Sequence, residues 1–246
     1  MIRQDAKSRG LMTTPSAITF GVMARAPIAG ACKTRLGRSI GDAAAGRLYE
    51  AMLLDTLAMF ATQRTSTFGL PTRRVLLAAP EHDGAALLRR LAPPSWEVVL
   101  QRGADLGARL SNALLDLTGD GHLVCLVDSD SPTLPLEALR PLAAPRPDNG
   151  VVVGPCEDGG YYLIGVRTPE PRLFEGIPWS TSGVMEATRC ACRDRGLPLE
   201  ELRTWYDIDA RKDLDRLDRE LRARPELAPR TAEVLLATPL VQPETP

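Results

Sequence analysis

The 246-residue sequence is short of aromatic side chains, at 4%, and has two histidines; its 30 Lys and Arg against 31 Asp and Glu leave a net charge of −1. It therefore has neither the basic excess nor the interleaved aromatics of a nucleic-acid module, and no bulk attraction to an anionic membrane. No apolar run approaches the roughly 20 residues that a bilayer span needs. Residues 1–17 lack the apolar stretch of a signal peptide and read as a mobile leader. Five cysteines form no framework: the count is odd, and the Cys190-Ala191-Cys192 pair has no second pair at zinc spacing. Free thiols in a reducing compartment, and hence a cytoplasmic location, are expected. The patterns GxxxxGK[ST], GxGxxG and G-x-S-x-G are missing, and neither His82 nor His122 has neighbours that suggest a triad.

What is present is an alternation of strand-like and helix-like segments. Apolar runs predict strands over 18–25, 75–79, 96–101, 122–127, 151–154, 161–166 and 202–206. Helical spacing predicts helices over 42–60, 83–91, 106–117, from 136, over 182–195 and after 209, where Asp209 is placed to cap. Ser39 with Asp42 fits a helix start. Residues 64–74 read as an exposed loop. The expectation is a single α/β domain over 18–224, with a mixed, mostly parallel sheet of about seven strands between helices. Residues 225–246 carry five prolines and read as a loosely attached tail.

The residues with chemical potential follow the predicted strands, where ligands collect in open α/β sheets. After the first strand, Arg25 to Leu36 forms a Gly-bearing loop with Lys33 and Arg35, two cations suited to a diphosphate; a merely solvated basic loop is the ordinary alternative. Asp128-Ser129-Asp130 ends the most apolar strand and suits a hard cation, Mg²⁺ or Mn²⁺, although the acids could instead cap the next helix. Asp158-Gly159-Gly160 reads as a hairpin turn that could also approach a ligand closely. Asp207 and Asp209 supply more carboxylates; capping explains Asp209 and Asp213 but not Asp207.

The stretches ARAPIAGACKTRLG, QRGADLGARLSNAL (101–114), DSDSPTLP (128–135), GPCEDGGYYLIG (154–165), LFEGIPWSTSGVM (173–185) and YDIDARKDL (206–214), in that order, resemble the DUF2064 family of GT-A-fold glycosyltransferases, which includes members linked to arsenosugar biosynthesis. That family is related to 2-phospholactate guanylyltransferases. The resemblance implies a Rossmann-like nucleotide-diphospho-sugar transferase fold. It also implies nucleotide and phosphate contacts around Ala24, Arg25, Gly30, Lys33, Arg35, Gly103, Asp105 and Leu106. Asp130 would hold the metal, with Asp128 and Asp209 as further ligands. Asp158, Gly159, Gly160 and Tyr161 would face the sugar or acceptor, with Trp179, Ser180 and Thr181 on the acceptor side. Asp158 and Lys33 would be catalytic. The family pattern has a small residue where Asp128 stands.

Two transferase readings follow. A glycosyltransferase would take a nucleotide-sugar donor and a small-molecule acceptor. A nucleotidyltransferase would take a nucleoside triphosphate and a phosphorylated or phosphonate metabolite, releasing pyrophosphate. A non-catalytic nucleotide-binding scaffold has no need of carboxylates clustered beside cations. A homodimer is compatible with the sequence, but no coiled-coil pattern assigns one.

Overall fold

A computed structural model describes residues 11–61, 68–81, 84–119 and 121–237. After β1 (Met12–Thr13) come β2 (Ala17–Ala24), α1 (Thr34–Ile40), α2 (Asp42–Ala61), β3 (Thr72–Ala78), α3 (Gly84–Leu91), β4 (Glu97–Leu100), α4 (Leu106–Leu117) and β5 (His122–Val127). They are followed by β6 (Arg146–Pro147), β7 (Val151–Pro155), β8 (Tyr161–Val166), α5 (Val184–Asp194), β9 (Leu199–Glu201), α6 (Arg211–Ala223) and α7 (Pro229–Ala237). The main sheet has seven strands in the order β4-β3-β2-β5-β8-β7-β9; β1 and β6 pair separately.

Strand β2 runs parallel to β3 and β5, β3 parallel to β4, and β7 parallel to β9, while β8 is antiparallel to both β5 and β7. Every strand of this sheet except β8 therefore points the same way, and the segments that leave them emerge at one edge. The expected mixed, mostly parallel architecture is what the chain adopts.

Two-residue alternation loads both faces of the sheet. Along β5, Leu123, Cys125 and Val127 join Phe20, Leu57 and Phe60 on one side, and Val124 and Leu126 join Leu110, Leu114 and Val184 on the other. Such double burial needs the near-continuous apolar runs seen in the sequence. Helix α2 also serves a third cluster: Leu48, Tyr49 and Met52 pack with Ile208, with Leu214, Leu217 and Leu221 of α6, and with Ala232 and Leu235 of α7.

Several local expectations need correction. The strand placed at 202–206 is instead Leu199–Glu201, and Trp205 makes an isolated bridge to Cys156. Ser39 lies inside α1; the break before α2 is Gly41, whose φ of 84° is open to glycine at no steric cost. The loop over 64–74 already contains the start of β3 at Thr72; residues 64–67 and His82 lie outside the described residues. The helix expected from 136 is a 3₁₀ segment, Leu136–Ala143, with Pro141 inside it. In the leader, Met12 and Thr13 pair with Pro147 and Arg146.

Residues 225–237 are not a loose tail. Pro229 opens α7, a position where its missing N–H costs nothing. The buried Asp55 carboxylate of α2 accepts hydrogen bonds from Thr231 N and Oγ1, each 2.8 Å, and from Arg230 N at 3.3 Å and Nη1 at 3.2 Å. A side chain from α2 thus caps α7 across the interface. Asp55→Ala is expected to lower stability by about 1–3 kcal/mol, for the lost cap and the stranded donors. Urea unfolding measures it, and an unchanged midpoint would show that the Asp55 cap adds nothing to the fold.

Candidate active site

Three segments from the loaded sheet edge are tied together by one ammonium. Lys33, in the loop after β2, has a side chain 7% exposed. Its Nζ lies 2.8 Å from Asp130 Oδ2, donates to the Ile208 carbonyl at 2.5 Å and stands 4.0 Å from Asp209 Oδ1. Burial pulls the Lys33 pKa down, but the charge and hydrogen bond of Asp130, then Asp209 and Asp207, outweigh it and the net shift is upward. Lys33 sits at φ 48°, ψ 43°, a left-handed backbone uncommon for a side chain of this size. Ile208 N donates in turn to the Asp130 carbonyl at 3.0 Å, closing the link between the segments after β5 and β9.

Arg35 is not in a loop; it lies in the first turn of α1, exposed, with Nη1 2.6 Å from Asp209 Oδ2. Asp209 does not cap α6. That work falls to Asp213, whose Oδ2 accepts from Ala210 N at 2.8 Å and Asp209 N at 3.3 Å. The Asp209 carboxylate is thereby left to the two cations.

Asp130 is oriented from its other side by a relay of donors. Arg25 N donates to Tyr49 Oη (3.1 Å), Tyr49 Oη and Ser129 Oγ are 2.9 Å apart, and Ser129 Oγ donates to Asp130 Oδ1 (3.3 Å). This role of Tyr49 is hidden by its place on the apolar line of α2; the one signal for it is the hydroxyl, since a buried tyrosine needs a partner. Asp128 is held by Ser131 Oγ at 2.8 Å, and burial followed by the Asp130 charge pushes its carboxyl well above the usual range.

The other carboxylates gather at the β7–β8 turn. One donor atom each from Cys156, Asp158 and Asp207 lie within 4.8 Å of one another. Asp158 Oδ1 accepts from Gly160 N at 2.8 Å. Gly159, at φ 92°, is required here: a Cβ would fall 2.1 Å from the Ser182 carbonyl oxygen, and its own carbonyl accepts from Met185 N. The DGG turn is thus pinned to the start of α5 and abuts the segment carrying Trp179, Ser180 and Thr181.

Of the remaining expected residues, Asp105 caps α4 by accepting from Ala108 N at 2.8 Å. Gly103, at φ 139°, permits a close approach to Ala108, and Leu106 is exposed. The Trp179 ring lies against Gly107, with Tyr161 edge-on at 6.4 Å. Thr181 Oγ1 is bonded to the Pro178 carbonyl. The Ala24 carbonyl accepts from Ala79 N, and Gly30 turns the loop at φ 76°. Lys33, Arg35, Asp128, Asp130, Asp158, Asp207 and Asp209 form one charged cluster, with Gly103 to Leu106 and Trp179 to Thr181 in a neighbouring group around the start of α4.

Residues 64–181 match the family described as "Uncharacterized protein conserved in bacteria (DUF2064)". This bears out the resemblance carried by the motifs, and the DUF2064 match includes the D-x-D and DGG stretches. A solved structure from Desulfovibrio desulfuricans G20, named a "putative nucleotide-diphospho-sugar transferase", is 28% identical, with a TM-score of 0.77, over 89% of this chain and 94% of that one. The inositol-1-phosphate CTP transferase of T. maritima shares the fold at 12% identity and a TM-score of 0.51, over 90% of this chain and 98% of that one. Both are named transferases, the class expected from the sequence. No curated protein matches this sequence. Among the described residues, no helix is long and apolar enough to cross a membrane.

The Asp207 carboxyl sits at about 6, raised by burial and then by the charge of Asp158, with Lys33 opposing and Asp130 adding. Its ordinary value is 3.8. The folded protein therefore keeps a proton that the unfolded chain has lost, and the stability from this group is full below about pH 4 and lost as pH rises through about 6. Asp207→Asn should remove that loss, making the variant more stable than the parent by up to about 3 kcal/mol at neutral pH. Denaturant midpoints measured at both ends of this window test it; parallel pH profiles for the two proteins would refute the assignment.

Proposed function

We propose that this protein is a metal-assisted transferase that holds a nucleotide's diphosphate at the Lys33–Arg35 cluster, with transfer of a glycosyl group from a nucleotide-sugar to a small-molecule acceptor as the best-supported reaction. The observation that carries this reading is the buried Lys33 ammonium, fixed at the joint of three strand-end segments. An ammonium has three protons; one goes to Asp130 and one to the Ile208 carbonyl. The third, with Asp209 Oδ1 at 4.0 Å, would serve a phosphate oxygen. Arg35, exposed on α1, has guanidinium protons beyond the one engaged by Asp209. Together they are suited to the charge that grows on a departing diphosphate.

The residues present fit a divalent cation. Asp130 and Asp209 bring carboxylates to one place, where they already share a cation in Lys33. Mg²⁺ or Mn²⁺ held by these acids would supply Lewis-acid stabilisation of the phosphate oxygens. Asp128, more deeply set and tied to Ser131, is better suited to supporting Asp130 than to reaching a ligand. Asp158, exposed on the DGG turn beside the 179–182 segment, is placed to orient an acceptor hydroxyl or take its proton. The neighbouring group around Gly103, Asp105 and Leu106 would flank the nucleotide.

The test is a ligand screen by thermal shift with Mg²⁺ or Mn²⁺ present and absent, comparing UDP-, GDP-, ADP- and TDP-sugars with the triphosphates, followed by product analysis. A metal-dependent rise largest for one sugar nucleotide, and lost in Asp130→Asn, is expected. A rise confined to a triphosphate, with pyrophosphate released on adding a phosphorylated metabolite, would replace glycosyl by nucleotidyl transfer. No shift with any nucleotide would overturn both.

A further inference from the structure

The geometry points to Cys156 as a sulfur donor that, with the carboxylates of Asp158 and Asp207, forms a binding place for a thiophilic divalent cation such as Zn²⁺ or Cd²⁺. It lies beside the harder, all-oxygen acids at Asp130 and Asp209, and it rests on the proposed function only in sharing that charged cluster.

Cys156 ends the β7 side of the hairpin and is 7% exposed. Its thiol has no hydrogen-bond partner among the described residues, unlike Cys32, which donates to the Ile28 carbonyl, and Cys190, which reaches Glu186. A thiol is a weak donor that can stay unpaired in a core; this one, however, shares its neighbourhood with two carboxylates. Cys156 packs on its apolar side in the same cluster as Cys125, and Cys192 lies in the cluster of the other sheet face; among the described residues Cys156 is the cysteine that also has two carboxylates within 4.8 Å.

The three residues grade outward. Cys156 is buried at the floor, Asp207 is half-buried and Asp158 is exposed at the mouth, so the place is open from one side. Tetrahedral ligand atoms on one ion, with metal–sulfur near 2.3 Å and metal–oxygen near 2.0–2.2 Å, stand roughly 3.3–3.7 Å apart. The donors here are within 4.8 Å of one another, so a closing movement of at most about 1.5 Å suffices.

The backbone holds them in place. Cys156 N donates to the Gly160 carbonyl, Gly159 N to the Cys156 carbonyl, and Glu157 N to the Trp205 carbonyl, two residues before Asp207. A mixed sulfur and oxygen set prefers Zn²⁺ or Cd²⁺ over Mg²⁺, which takes oxygen. On binding, the S–H bond breaks, a sulfur–metal bond forms and the proton passes to water; no redox change is involved.

The experiment uses the full chain and Cd²⁺ as the probe. Ultraviolet difference spectra record the thiolate-to-cadmium charge-transfer band, and competition with a chromophoric chelator gives the affinity. The parent should show the band at one Cd²⁺ per chain. Cys156→Ser, and separately Asp207→Asn with Cys156 intact, should lose it, with Cd²⁺ affinity falling at least about tenfold, the loss seen even for outer partners of a metal. Mg²⁺ affinity should be unchanged in Cys156→Ser. A band that persists in both variants, or no band in the parent, overturns the proposal, whatever the nucleotide screen shows. Nucleotide binding without a Cys156-dependent band sinks this inference alone, and the band without nucleotide binding sinks the transferase reading alone.

Discussion

The Lys33 ammonium is the contact on which the functional edge of this molecule depends. The segment after β2 supplies it, that after β5 supplies Asp130, and that leading into α6 supplies the Ile208 carbonyl and Asp209. Placing a charge at 7% exposure is costly unless it is paired and hydrogen-bonded. Here the pairing is complete enough to hold the lysine charged, and removing either partner would strand the other. The same packing tolerates Lys33 in a left-handed backbone conformation, a local strain of the kind that persists when its surroundings over-determine it.

The sheet explains why these groups meet at all. Because β8 is the one reversed strand in the main sheet, the segments following β2, β4, β5, β7 and β9 leave by one edge. Carboxylates and cations separated by up to 176 residues in sequence converge there. Beneath them the Tyr49 relay and the Asp213 cap remove competing uses for Asp130 and Asp209. Such supporting contacts let charged groups keep one geometry while ligands come and go.

Much of this was legible in the sequence, for physical reasons. Strands buried on both faces give unbroken apolar runs, so β2, β5, β7 and β8 could be placed closely, and the 3.6-residue repeat located α2 and α4. The D-x-D, DGG and K-x-R residues stood out because charge or glycine directly after an apolar strand has few structural uses. What the sequence hid depends on contacts made across the chain. Asp209 reads as a cap until Asp213 is seen to take the backbone donors. Residues 229–237 read as loose because the carboxylate that caps them, Asp55, lies on α2. Tyr49 reads as core because helical spacing says nothing about where a hydroxyl points. Cys156 reads as an ordinary buried thiol because its acidic neighbours come from a turn and from a segment some fifty residues later.

The central claim, that the Lys33 ammonium is a phosphate ligand held ready by Asp130, is most directly tested by calorimetric titration of a nucleoside diphosphate into the parent and into Lys33→Met, with Mg²⁺ present. A lost charge-assisted hydrogen bond is worth about 1.5–3 kcal/mol, so affinity should fall roughly 10- to 100-fold while the circular dichroism stays that of the parent. Equal affinities in the two proteins would contradict the account and reduce the Lys33–Asp130 pair to a structural strut.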